Sequence, residues 1–286
     1  MTTITPPPPT APERPPVEPP RPSAGGSRVV AIIAIVIGAL VLLGSAGSAI
    51  AGTLVSASVQ TTSRSVDATG VDRLVVDTAA GGFRIEFADV DDAELEVTGS
   101  WGADRWTLER DGGTLEVRSP HVFGWMNWGG WFDDRGTEAT LRLPSELEGL
   151  DADVNLSAGD LAAEGDFGDL DLDISAGRAD VKGSAEMLTG DMSAGRGELV
   201  LDDVSRIGLS VSAGSLEARF TGAQPDAVTL GVSAGSLRVT LPEGSYDVSS
   251  DVSAGGFDNG LGSSPGAAST VRVTVSAGEV VLRSGR

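Results

Sequence analysis

In LDLDISAG, Leu170, Leu172 and Ile174 share one parity while Asp171, Asp173 and Ser175 share the other, which is the period of a half-buried strand. IGLSVSAG and VTLGVSAG repeat the scheme with Ile207, Leu209 and Val211, then Val228, Leu230 and Val232. On this parity Ala176, Ala213 and Ala234 are expected to point inward, and the serines before them outward. After the glycine the phase resets, because Leu216, Ala218 and Phe220 follow Gly214, and Leu237, Val239 and Leu241 follow Gly235. Glycine therefore marks a corner, where a missing Cβ permits positive φ or the close approach of a neighbouring segment. TGAQPDA and LPEGSYD read as turns that return the chain to its next strand.

Between Ser157 and Gly278 the tripeptide Ser-Ala-Gly occurs seven times, opened by Ser157, Ser175, Ser193, Ser212, Ser233, Ser253 and Ser276, on a period that drifts between 18 and 23 residues. Coils stacked about 4.8 Å apart would align these corners in columns, which predicts an all-β solenoid. An antiparallel sandwich also yields strands every 8 to 12 residues or so, but gives no reason for strand ends to repeat. DTAAGGFRIEF carries Ala79, Ala80 and Gly81 in place of the tripeptide, with Phe83 and Ile85 at the matching offsets, so the array is expected to begin near Val71. Strands at 93–98, 105–110, 114–118 and 137–143 alternate without the tripeptide and are expected to form wider coils or a hairpin-rich cap.

The leading residues follow other rules. Residues 1–28 hold ten of the 15 prolines and almost no large apolar side chains, a composition that cannot offset its ordering entropy. Polyproline II in this tail suits a spacer or recognition by an aromatic groove. Val29 to Ala51 contains no charge, and a helix of that length reaches roughly 34 Å, enough for a bilayer core of about 30 Å. Arg14, Arg21 and Arg28 precede it, which predicts a cytoplasmic N-terminus and an extracellular C-terminal domain. The alternative is a cleaved signal peptide ending at Ala49-Ile50-Ala51. The expected organisation is a disordered cytoplasmic tail over 1–28, a transmembrane helix over 29–51, a linker over 52–70 and a β-strand-repeat ectodomain over 71–286.

The chain has 20 basic against 41 acidic residues, a net charge of −21, which argues against nucleic acid and against adsorption to anionic headgroups. With no cysteine it has neither disulfide staples nor thiolate metal sites. The sequence LRLPSELEGLDADVNLSAGDL and the strand-Ser-Ala-Gly-strand units after it resemble the bacterial putative-adhesin β-strand-repeat family, within the toast-rack group. The resemblance covers roughly Val71 to Leu282. It implies a right-handed β-solenoid attached to a membrane helix in the cell envelope, with adhesion or envelope-stress sensing as roles and no catalytic residues.

Candidate chemistry is sparse. His121, the only histidine, lies beside Pro120 with no ligand at metal-binding spacing. Asp171 and Asp173 share an outward face, where stacked coils could converge acids on Ca²⁺, yet the glycine-rich nonapeptide of calcium solenoids is absent. A solvated acidic face that blocks edge aggregation is the simpler reading. No catalytic, cofactor or metal residue is assigned.

Val122 to Phe132 is the unusual segment, presenting Phe123, Trp125, Met126, Trp128, Trp131 and Phe132 among glycines. It is either a contact loop for an envelope protein or glycan, or a cap over the apolar end of the array. The functional expectation is a membrane-anchored extracellular interaction module and not an enzyme. The alternative is a parallel β-helix enzyme acting on cell-wall polysaccharide.

Overall fold

The computed structural model describes residues 60–99, 102–120 and 137–285, all within one compact unit, Ala57–Arg286. The expected tail and transmembrane helix, residues 1–51, and the aromatic segment 122–132 lie outside the described residues. Among the described residues no helix is long and apolar enough to cross a membrane.

The described chain is all β, with short 3-10 turns at Ala103–Arg105 and Ser145–Leu147. In chain order the strands are β1 (Gln60–Val66), β2 (Arg73–Thr78), β3 (Gly82–Ala88), β4 (Ala93–Gly99), β5 (Thr107–Asp111), β6 (Thr114–Arg118), β7 (Glu138–Pro144), β8 (Leu150–Leu156), β9 (Gly159–Asp202), β10 (Arg206–Thr221), β11 (Ala227–Leu241), β12 (Tyr246–Val252), β13 (Gly255–Asn259), β14 (Ser269–Val275) and β15 (Gly278–Ser284). Each Ser-Ala-Gly joins an inbound leg, before the corner, to an outbound leg after it. Long strands such as β10 and β11 contain both legs because the ladder continues around the corner.

Rungs stack in parallel and in register. Val211 pairs with Val232, Gly214 with Gly235 and Leu216 with Leu237, while Ala213 and Gly214 pair on the other side with Ala194 and Gly195. This parallel register excludes a sandwich of two antiparallel layers. Inward positions of both legs form one continuous core, including Leu172, Ile174, Leu209, Val211, Leu216 and Phe220.

The corners differ from the sequence expectation in one respect. Ala158, Ala194 and Ala213 are half-buried, and Ala176, Ala234, Ala254 and Ala277 are exposed, so the alanines do not point into the core. The chain begins to turn at the serine, which leaves both Ser and Ala on the convex side, and inward parity resumes two residues after the glycine.

The reason for glycine is explicit in the stack. A Cβ built on Gly177 would collide with the carbonyl oxygen of Gly159, one on Gly195 with that of Gly177, and so on through Gly214, Gly235, Gly278 and Gly255. Gly177 and Gly195 both have φ of 132°, a region that side-chain-bearing residues rarely adopt.

Stack order departs from chain order at both ends. The β2–β3 rung lies between the β6–β7 rung and the one formed by β8 and the start of β9. At the other end β14–β15 lies between β11 and the β12–β13 rung. Polarity accounts for the second case. The inward positions of β14–β15 are Val271, Val273, Val275, Val280 and Leu282, all buried, whereas β12–β13 turns Ser250 and Asn259 to the same columns, opposite Val273 and Leu282. A rung with polar inward groups is tolerated where only one side is covered.

The end nearest β6 and β7 is closed by antiparallel strands. β4 pairs with β7, β5 with β6, and β1 with β4. Behind them Trp106, 2% exposed, stacks on Phe83 with ring centroids 5.9 Å apart. Arg142 ties this closure to the rungs by reaching Glu86 of β3 at 2.8 Å and Glu96 of β4 at 3.1 Å. The hairpin-rich cap is therefore present, while β1 forms within the stretch expected to be linker. Its QTTSRSV sequence lacks apolar alternation, and backbone pairing plus the Thr61–Thr98 hydroxyl contact at 3.1 Å hold it.

Gly195→Ala should lower stability by about 2–5 kcal/mol, combining backbone strain with overpacking. Gly149→Ala, also at positive φ but with open space around its Cβ site, should cost only about 1–2 kcal/mol. Urea denaturation midpoints of the two variants would separate these effects.

Candidate interaction surfaces

The two legs present outer faces of different charge. On the inbound face, register places Asp153 beside Asp171 and Asn155 beside Asp173. The Asn155 amide donates to Asp153 Oδ1 at 2.7 Å. Partial desolvation, then repulsion from Asp153, Asp191 and Asp173, raises the Asp171 pKa above the ordinary carboxyl value. Among the described residues no three such groups are placed to hold a metal ion.

The outbound face mixes both signs. Arg178 stands 3.6 Å from Asp160, and Lys182 lies 3.0 Å from Asp180. Shallow grooves follow this face, one of about 300 Å³ lined by Arg84, Asp160, Arg178 and Asp180 among others. The crowded Asp171 carboxyl therefore lies on a different face from these grooves. A glycan-cleaving arrangement, in which a carboxyl of raised pKa flanks the scissile bond within a cleft, is not formed by these groups.

The corner column carries the serines. Ser157, Ser175, Ser193, Ser212, Ser233, Ser253 and Ser276 are all exposed, as their parity predicts. Hydrogen bonds from the backbone N–H groups of Ser157 to Thr78 O and of Ser276 to Val232 O, each 2.8 Å, fix the corner to the rung beside it.

One corner is replaced by a long excursion. Asp77 pairs with Arg118 across β2 and β6, and Gly82 with Glu138 across β3 and β7, so residues 119–137 connect β6 to β7 where Thr78 to Gly81 connect β2 to β3 in the adjacent rung. The roots are fixed: Ser119 N donates to Asp77 O at 2.9 Å, and Thr137 O accepts from Gly82 N at 2.9 Å. Ser119 Oγ also accepts the Ala79 N–H at 2.7 Å. Ser119 and Thr137 are 5% and 6% exposed, which makes both roots part of the packed rung. His121 and all six candidate contact residues, Phe123, Trp125, Met126, Trp128, Trp131 and Phe132, belong to this excursion and lie outside the described residues.

Sequence reasoning did not anticipate two features of the surface. The outer edge of β12–β13, which no strand among the described residues pairs with, was hidden because nothing local marks which rung ends a stack. The Arg142 clamp joins residues from three separated strands and has no short-range signature.

No sequence-family profile matches the chain, and no curated protein matches it. Solved structures offer distant likenesses. A putative cell adhesion protein from Clostridium sporogenes ATCC 15579 is 11% identical, with 79% of this chain and 100% of that one covered and a TM-score of 0.38. A putative adhesin from Bacteroides fragilis NCTC 9343 is also 11% identical, covering 79% and 97% with a TM-score of 0.33. A putative lipid binding protein from Parabacteroides distasonis ATCC 8503 is 16% identical, covering 77% and 96% with a TM-score of 0.37. The functional reading below rests on this chain's own residues.

Because Asp171 has a raised folded-state pKa, its charged form is disfavoured in the native protein. The sign follows from linkage: the carboxylate lowers stability at neutral pH, and the penalty lifts as pH falls through the raised value. Asp171→Asn should therefore melt above the parent at pH 7, and the difference should narrow with acidification. Thermal melts of both proteins between pH 3 and pH 7 or so would test this, a gap that widens in acid contradicting it.

Proposed function

We propose that this chain is a non-enzymatic interaction module of the bacterial cell envelope. Residues 29–51 hold it in the membrane, and the right-handed solenoid stands on the extracellular side. Residues 122–132 provide its contact loop, with Trp125, Trp128 and Trp131 as the principal anchors. Such a loop would serve adhesion by holding a surface, or envelope-stress sensing by reporting its state.

The observation that supports this reading is the closure of the neighbouring stack end by other residues. β1, β4 and β5, with buried Trp106 and Leu108, already cover the apolar rungs there. That closure supports reading the aromatic segment as a contact loop and not as a lid. Its two roots lie at a corner, and the serine at each of the seven Ser-Ala-Gly corners is exposed. Aromatic side chains concentrated on such a segment suit recognition of a glycan or a protein.

Replacing Trp125, Trp128 and Trp131 together with serine should leave the urea midpoint within about 0.5 kcal/mol of the parent, as for substitutions outside a core. The same variant should lose co-sedimentation with purified cell-wall polysaccharide or with envelope membranes. A large fall in stability would reverse the assignment and make the segment a cap. Release of soluble sugar from the polysaccharide by the parent chain would favour the enzyme.

A further inference from the structure

The two ends of the rung stack are finished differently. Antiparallel strands cover one, but among the described residues no strand pairs with the outer side of β12 or β13. Ser253 N donates to Val275 O of β14 at 2.8 Å, so the backbone groups of Ser253, Asp251 and Ser249 turn toward the stack. Those of Tyr246, Val248, Ser250 and Val252 turn away from it. The segment after β13 occupies the first part of this edge. Ser264 N donates to Tyr246 O at 2.8 Å, and Ser263 Oγ lies 3.3 Å from Val248 N. Beyond that point no backbone group among the described residues pairs with those of Ser250 and Val252.

The same alternation applies after the corner. Gly260 N donates to Leu282 O at 3.0 Å, which leaves the backbone of Phe257 directed outward. The apolar groups here are also incompletely covered: Val252 is 40% exposed, and Phe257 is only partly buried against the core.

The inner side of this rung shows what chemistry it accepts. β14–β15 brings Arg272 opposite Ser249, between Asp247 and Asp251 on the same face. Arg283 pairs with Asp258 at 2.6 Å and holds that carboxyl below its usual range. On that same face Asp251 is exposed and has no side-chain partner among the described residues. A second copy meeting this edge would bring Asp247, Asp251 and Asp258 against their own counterparts on a chain of net charge −21, which like-charge repulsion opposes. A basic strand meets no such penalty.

We infer that the outer edge of β12–β13, from Ser250 to Phe257, docks an extended basic segment of another protein by β-strand addition. Main-chain bonds to Ser250, Val252 and Phe257 would supply the pairing, apolar residues of the incoming strand would cover Val252 and Phe257, and its Lys or Arg would face Asp251. This surface is built from other residues than 122–132, and the inference stands independently of the contact-loop assignment.

The test uses the full chain in detergent and a synthetic peptide, STVRVTVSAGEVVLRS, which copies Ser269 to Ser284, the rung that already pairs with the inner side. Amide hydrogen exchange is followed by mass spectrometry over residues 249–257. The expected result is saturable protection of that segment by peptide, weakening as salt rises. Ser250→Pro removes an outward N–H without touching the β14 ladder and should abolish the protection. Asp251→Lys should weaken it about fivefold, the scale of one exposed charge pair.

Absence of protection at millimolar peptide would overturn the inference, as would equal protection in the parent and both variants. Faster exchange in β11 would show instead that the peptide displaces β14–β15. Concentration-dependent protection without peptide would assign the edge to a second copy of this chain.

Discussion

The fold rests on the contact between one glycine and the carbonyl oxygen of the glycine in the next rung. From Gly81 to Gly255 each corner lies where a Cβ would intrude on the backbone beside it, so rungs can approach to hydrogen-bonding distance around the bend as well as along the legs. This is why Ser-Ala-Gly is fixed while the rest of each repeat drifts between 18 and 23 residues. Variation accumulates on the return path, where turns such as 221–226 and 242–245 lie outside the stacked corners. The in-register legs then bury one apolar row per face, and the alternating positions remain free to vary in charge.

That freedom is used unevenly. Acids gather on the inbound face, where their mutual repulsion is tolerated because the carboxylates remain largely hydrated. Pairs such as Arg178 with Asp160 and Lys182 with Asp180 occupy the outbound face. Exposed pairs of this kind contribute little to stability, so the difference bears on what approaches each side. Arg142 is a different case, because its two carboxylate partners come from a parallel rung and from the antiparallel closure. It joins the two modes of strand pairing at the place where one gives way to the other.

Much of the architecture was legible in local sequence. Leu216, Ala218 and Phe220 are buried as the offsets from Gly214 require, and every corner serine is exposed. The alanines were misread because strict alternation was carried one residue too far, into a bend where it no longer applies. β1 escaped notice because its side chains carry no pattern, its place being set by backbone pairing with β4. Rung order was less accessible still. SYDVSSDVSAGGF is a valid repeat by its corner and spacing, and only Ser250 and Asn259, compared with Val273 and Leu282, reveal which of two rungs belongs at the end. The candidate contact segment was conspicuous by composition, but only its roots at Ser119 and Thr137 fall among the described residues.

The crossed order of the last two rungs bears on how the molecule is assembled. As the polypeptide emerges, β12–β13 is available before β14–β15, and its Gly255 corner matches the vacant position above Gly235. Premature pairing there would be in register yet wrong, shutting out the more apolar rung that belongs beside β11. Successful maturation therefore requires that early pairing to remain weak enough to reverse. The polar Ser250 and Asn259 make that early pairing the less apolar of the two, since Val273 and Leu282 stand in the same columns of β14–β15.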